Sequence, residues 1–93
     1  MTKQLLTPTQ IGDLPLKNRV ILAPMTRTRA TPNGTPTELM AEYYGQRATA
    51  GLVIAEATGV DSSAISWINM PGIYNNEHVE GWKKTTQAVH QKD

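Results

Sequence analysis

The acids and hydroxyls with the clearest chemical potential in this 93-residue chain gather in one irregular stretch, with a histidine just beyond it. Asp61, Ser62, Ser66 and His78 are the ingredients of nucleophilic hydrolysis: an acid to orient an imidazole, an imidazole to take a proton, a hydroxyl to attack. No G-x-S-x-G elbow surrounds either serine, and no spacing brings the four together, so a triad is set aside. His78 and His90 lack metal-ligand spacing and read as solvated helix residues. The chain has no cysteine, which excludes disulfides and thiolate metal sites. A different chemistry is offered by V-I-L-A-P-M-T-R-T-R-A, Val20 to Ala30. Here an apolar run ends on Pro24, Met25 and Thr26 and opens into a polar loop. Such an end presents backbone amides and a small hydroxyl, groups that hold a polar ligand rather than attack it. Arg27 and Arg29 suggest phosphate contact but read better as structural residues or rim salt bridges.

The elements that must position these residues follow from pattern. Two short semi-apolar runs between Thr9 and Asn18 flank Gly12-Asp13, a pair suited to the positive φ of a two-residue hairpin turn. Val20–Ala23 is a continuous apolar run, the pattern of a strand covered on both faces. Arg27–Pro36 is a loop. Thr35 and Glu38 fit a T-x-x-E capping box with Pro36 at the first helical position. Leu39, Met40, Tyr43, Tyr44 and Ala48 then give one apolar helix face, with both tyrosines in the core and Gly45 at a close packing contact. Gly51 lies just past the helix end. Leu52–Ala57 is a second buried strand. Thr58–Asn76 is irregular and too long for an ordinary connection, so function or disorder is expected there. A second helix runs from Glu77 to about Lys92, capped by Asn76, with Val79, Trp82 and Val89 on its buried side.

The order hairpin, β, α, β, α, with about 30 residues from strand to strand, is that of a right-handed βαβ unit. Two parallel strands and two helices leave open edges, so the chain reads as the opening part of a larger α/β protein. In a (β/α)8 barrel, function sits at the C-terminal ends of the strands: Pro24-Met25-Thr26 and Glu56-Ala57-Thr58. Thr26 would supply a hydroxyl there, and Ala57 would leave room for a flat ring. Nine Lys and Arg against eight acidic residues, net +1, make no electrostatic case for nucleic acid or an anionic membrane. No window approaches the ~18 apolar residues of a membrane span, and the N-terminus lacks a signal-peptide core. A soluble, cytoplasmic protein is expected.

Taken in order, L-K-N-R-V-I-L-A-P-M-T-R-T-R-A, E-Y-Y-G-Q-R-A, G-L-V-I-A-E-A-T and M-P-G-I-Y resemble the Old Yellow Enzyme family of FMN-dependent ene-reductases. The resemblance covers essentially all of residues 1–93 and implies one segment of a TIM-barrel flavoenzyme domain: the N-terminal hairpin and first two βα units. It further implies that NADPH or NADH reduces FMN, and that a hydride passes from flavin N5 to the β-carbon of a small activated alkene such as an enone, maleimide or nitroalkene. Carried over by position, Pro24 and Met25 lie with their backbone against the flavin, Thr26 hydrogen-bonds flavin O4, and Ala57 contacts FMN. Trp67 stands where many relatives have a substrate-facing tyrosine and lacks that hydroxyl. The family's paired His/His or His/Asn, its tyrosine proton donor and its late phosphate-binding strands have no counterpart here. No catalytic residue is therefore expected in this chain, and it is expected to act only with the complementing remainder of the barrel, from the same gene or a second chain. The alternative is a non-catalytic fragment that serves only in association with that complement.

Overall fold

The computed structural model describes residues 2–92. A short helix α1 (Thr2–Leu5) leads into the hairpin of β1 (Thr9–Ile11) and β2 (Leu14–Leu16), which pair antiparallel with Ile11 opposite Leu14. Gly12 makes the turn with φ of 55°. Asp13 does not share that conformation, so the turn needs positive φ at its first central residue only, the position where glycine is favoured in type II′ hairpins.

β3 (Ile21–Leu22) and β4 (Leu52–Val53) pair in parallel, Ile21 with Leu52 and Leu22 with Val53. Both strands are shorter than the apolar runs suggest, and they are not covered on both faces: Val20, Ile21 and Ile54 remain exposed. Helices α2 (Glu38–Gln46) and α3 (Asn76–His90) connect and follow these strands and pack on each other. On the helix side, Val53 and Ala55 share a hollow with Trp82 and Val89. The sheet is thus layered on one side and bare on the other, which is how a barrel wall looks without the barrel's interior.

What fixes the register lies below the strands. The Lys17 ammonium donates to Ala48 O (2.9 Å) and the Asn18 amide to Thr49 O (2.8 Å), clamping the start of β3 to the connection entering β4. Val20 O then accepts from Gly51 N (2.8 Å) and Ile54 N donates to Leu22 O (3.1 Å).

The helix starts differ from expectation by one or two residues. Thr37, not Thr35, caps α2: its hydroxyl accepts from Met40 N (3.3 Å) and donates to Arg29 O (2.8 Å). Thr35 instead belongs to a turn held by Thr31, and Pro36 is buried before the helix rather than opening it. The cause is packing: Pro36 presses on Gly81 of α3, where a Cβ would sit 2.7 Å from Pro36 O. Asn75 rather than Asn76 caps α3, accepting from His78 N at 2.8 Å.

The buried faces shift accordingly. Met40, Tyr44 and Gly45 are buried on α2 and Ala48 just beyond its end, while Leu39 is exposed. Tyr43 is not core; it is half-buried, with the guanidinium groups of Arg47 and Arg27 at 4.0 and 5.4 Å from its ring centre. On α3 the buried stripe is His78, Gly81 and Thr85, with Trp82 and Val89 half-buried and Val79 exposed. Small residues win this face because α2 comes close: a Cβ on Gly45 would lie 3.3 Å from Ala88 Cβ. His78 is wholly buried, contrary to its reading as a solvated residue, while His90 is exposed.

Candidate cofactor-binding site

The long segment after β4 is ordered. A 3-10 turn (Ser62–Ala64) is capped by Asp61, whose exposed carboxylate accepts from the Ser63 amide and hydroxyl and is held below its ordinary pKa by those bonds. Gly59 bridges Gly72, Gly72 N donates to Gly34 O (2.8 Å), and Ala30 N donates to Asn69 O (3.1 Å). The loops that leave the two strands are therefore stitched to each other, and His78 completes the stitch with Nε2 2.8 Å from Asn33 O. Asp61, Ser62 and Ser66 stay exposed while His78 is buried in this seam, so no triad forms.

Because β3 and β4 run parallel, their C-terminal ends lie on one side. Thr26 and Ala57 each follow four residues beyond the last pair, Leu22 with Val53, and their neighbours Arg27 and Glu56 are bonded to each other. Pro24, Met25, Thr26 and Ala57 are all exposed on this ledge. Among the described residues nothing accepts from the Met25, Thr26 or Ala57 amides or from the Thr26 hydroxyl. A row of free donors beside a residue no larger than alanine suits a planar heterocycle that carries carbonyl and ring-nitrogen acceptors, and the isoalloxazine of FMN is such a group. Trp67 stands on the neighbouring loop, 61% exposed, two residues before the Asn69 link.

The ledge is held from behind by a buried node. Glu56, 3% exposed, accepts from Tyr44 OH (2.7 Å) through Oε2 and from Arg27 N (3.4 Å) through Oε1. Tyr44 OH in turn accepts from Glu56 N at 2.9 Å. Sequence reasoning passed over this pair; the signal available was a lone acid inside the otherwise apolar run L-V-I-A-E-A. Arg27 and Arg29 form no rim salt bridges, for the two ion pairs among the described residues are Lys83–Glu80 and Lys84–Glu38. Arg27 packs on Tyr43, and Arg29 donates to Arg27 O (3.1 Å). Both border a groove of about 220 Å³ that also reaches Tyr43, Arg47 and Glu56. Among the described residues no cluster of acids and histidines could hold a metal ion, and no helix is long and apolar enough to cross a membrane.

Burial, and next the Glu56 carboxylate, push the Tyr44 hydroxyl well above its ordinary value of 10.0. The folded state thus keeps a proton that the unfolded chain gives up near pH 10, so this contribution is full below pH 10 and fades as pH rises above it. Stability should fall above pH 10 by up to about 1.4 kcal/mol per pH unit from this group. Denaturant titrations of wild type and Tyr44→Phe at pH 9 and pH 11 check it: the variant should lose less between the two.

A family description, NADH:flavin oxidoreductase / NADH oxidase, matches residues 4–93. The chain belongs to that family. Its relatives in this flavin oxidoreductase family include a probable flavin mononucleotide-dependent alkene reductase of Leishmania infantum, 44% identical over 88 residues, which are 95% of this chain and 24% of that protein. The old yellow enzyme homologue of Zymomonas mobilis superposes with a TM-score of 0.91 at 49% identity, covering 96% of this chain and 25% of that one. A morphinone reductase solved in complex with tetrahydroNAD gives 0.88 at 50% identity, over 95% of this chain and 24% of its own. The chain thus spans about a quarter of the length of the relatives it matches. Its fold is the N-terminal portion of the Old Yellow Enzyme (β/α)8 barrel, the hairpin and first two βα units.

Proposed function

We propose that this chain forms part of the FMN bed of an NADPH- or NADH-dependent alkene reductase, active when the rest of the barrel completes it. FMN, when bound, would supply two-electron hydride chemistry between the nicotinamide and the C=C bond of an enone, maleimide or nitroalkene. The residues of this chain bind and tune. Pro24, Met25 and Ala57 offer a support for the ring, with the free Met25 and Ala57 amides available to its acceptors. Thr26 offers its hydroxyl to flavin O4, where a donor stabilises the charge that gathers on reduction. Trp67, exposed on the adjoining loop, would meet the alkene with an apolar indole face where a tyrosine would offer a hydroxyl. Proton donation and the grip on the substrate's activating group fall to the complementing part of the barrel. The observation that supports this reading is that Thr26 and Ala57 each lie four residues beyond the last pair of the parallel strands, beside the bonded residues Arg27 and Glu56, both exposed and unpartnered.

The test is Thr26→Ala in the completed, FMN-loaded barrel. Loss of one hydrogen bond to a charged acceptor is worth about 1.5–3 kcal/mol, so the flavin potential should become more negative and reduction by the nicotinamide should slow. An unchanged potential together with unchanged half-reaction rates removes Thr26 from the flavin.

A further inference from the structure

Glu56 is a buried carboxylate with no lysine or arginine within ion-pair distance among the described residues. Its acceptor capacity is met by neutral donors alone: the Tyr44 hydroxyl and the Arg27 amide. A purely structural link at such a place is made more cheaply by uncharged side chains, because burying an unpaired ion is costly. The position of this carboxylate is specific. It belongs to the residue next to Ala57, and it bonds the backbone amide of the residue next to Thr26. Through Tyr44, which it engages with both its carboxylate and its own amide, it fastens both strand ends to α2.

Resting on the flavin reading above, we infer that Glu56 is a positioning residue of the cofactor site: it ties the backbone beside Thr26 to that beside Ala57, and its negative charge behind the ledge holds down the flavin's reduction potential. An anion near a group that gains electrons opposes that gain, and a water-poor surrounding strengthens the effect. Thr26 and Glu56 then act in opposite directions, the hydroxyl favouring the reduced flavin and the carboxylate disfavouring it.

Glu56→Gln keeps the shape but removes the charge. It also disturbs one link, since Tyr44 and Arg27 bond different carboxylate oxygens and the glutamine turns a donating NH2 toward one of them. In the completed barrel that contains this segment, E56Q should bind FMN roughly tenfold more weakly, the usual scale for losing a charged hydrogen bond, and the potential of its bound flavin should move positive. Tyr44→Phe keeps the charge and cuts the tie to α2. It should weaken FMN binding comparably with a smaller change in potential, and it carries the test if E56Q does not fold. Wild-type FMN affinity and potential in the variants, even with a lowered melting temperature, mark a merely structural role and overturn the inference. A wild-type barrel that takes up no FMN overturns the flavin reading itself, a result distinct from a barrel that binds FMN normally whether or not Glu56 is charged.

Discussion

Gly51→Ala is expected to cost about 3 kcal/mol or more, as a clash against backbone leaves no soft atom to yield. A Cβ at residue 51 would lie 2.1 Å from Asn18 O and 2.9 Å from Asn18 C. Asn18 cannot withdraw: it is buried, its amide donates to Thr49 O, and its Oδ1 accepts from Val20 N at 2.9 Å. The clash can be relieved only by parting β3 from β4, which takes with it the Gly51–Val20 bond and the parallel register. Thr26 and Ala57 each follow four residues after the last pair of these strands, so the site goes with the fold. Small domains hold only about 5–15 kcal/mol in all, and a chain with two short strands has little reserve. Urea denaturation followed by circular dichroism measures the effect. Gly12→Ala is the control: nothing lies within 4 Å of a Cβ there, and only its φ of +55° penalises alanine, by about 1 kcal/mol. Equal denaturation midpoints for the two variants would show that residues 18 and 51 are not as tightly joined as described.

That contact also shows where the sequence was mute. Apolar runs and breaker residues were enough to place the hairpin, both strands and both helices in order, because these signals are local. Gly51 was legible as a residue beyond a helix end, but its reason is a neighbour 33 positions away, which no local pattern encodes. The helix caps missed for the same cause. T-P-T offers two threonines, and Pro36 seated on Gly81 decides between them. Tyr43 and Tyr44 look alike in sequence, yet one bonds a buried carboxylate and the other lies under two guanidinium groups. Motif resemblance and the expected strand ends were enough to propose Pro24, Met25, Thr26 and Ala57. Glu56, which holds them, was hidden by its own position in an apolar run, where an acid reads as noise until its partners are seen.

His78→Ala is the second large effect expected, about 3–5 kcal/mol, and it bears on the loops rather than the strands. The imidazole is 0% exposed. Its Nδ1 accepts from Tyr74 N (3.3 Å), so the ring proton sits on Nε2 and is donated to Asn33 O (2.8 Å). The Tyr74 ring meets it edge-on with centres 4.4 Å apart, and Gly34 and Gly72 lack side chains where the ring passes. Truncation leaves a cavity and two partly buried backbone groups, Tyr74 N and Asn33 O, without these partners, all at the seam between the loop after β3 and the loop after β4. The strands stay joined through Val20, Gly51 and Ile54, so the damage should concentrate in the seam. Hydrogen exchange should accelerate most at Gly72 and Gly34, whose amides are bonded within it, and least at Ile54. Since the seam ties the loop that carries Trp67 to the loop after β3, the proposed function predicts that a completed barrel with this variant keeps its FMN better than its choice of alkene. Uniform acceleration across strands and loops would instead mean that His78 supports the whole fold, and the loops would then have no local fastening of their own.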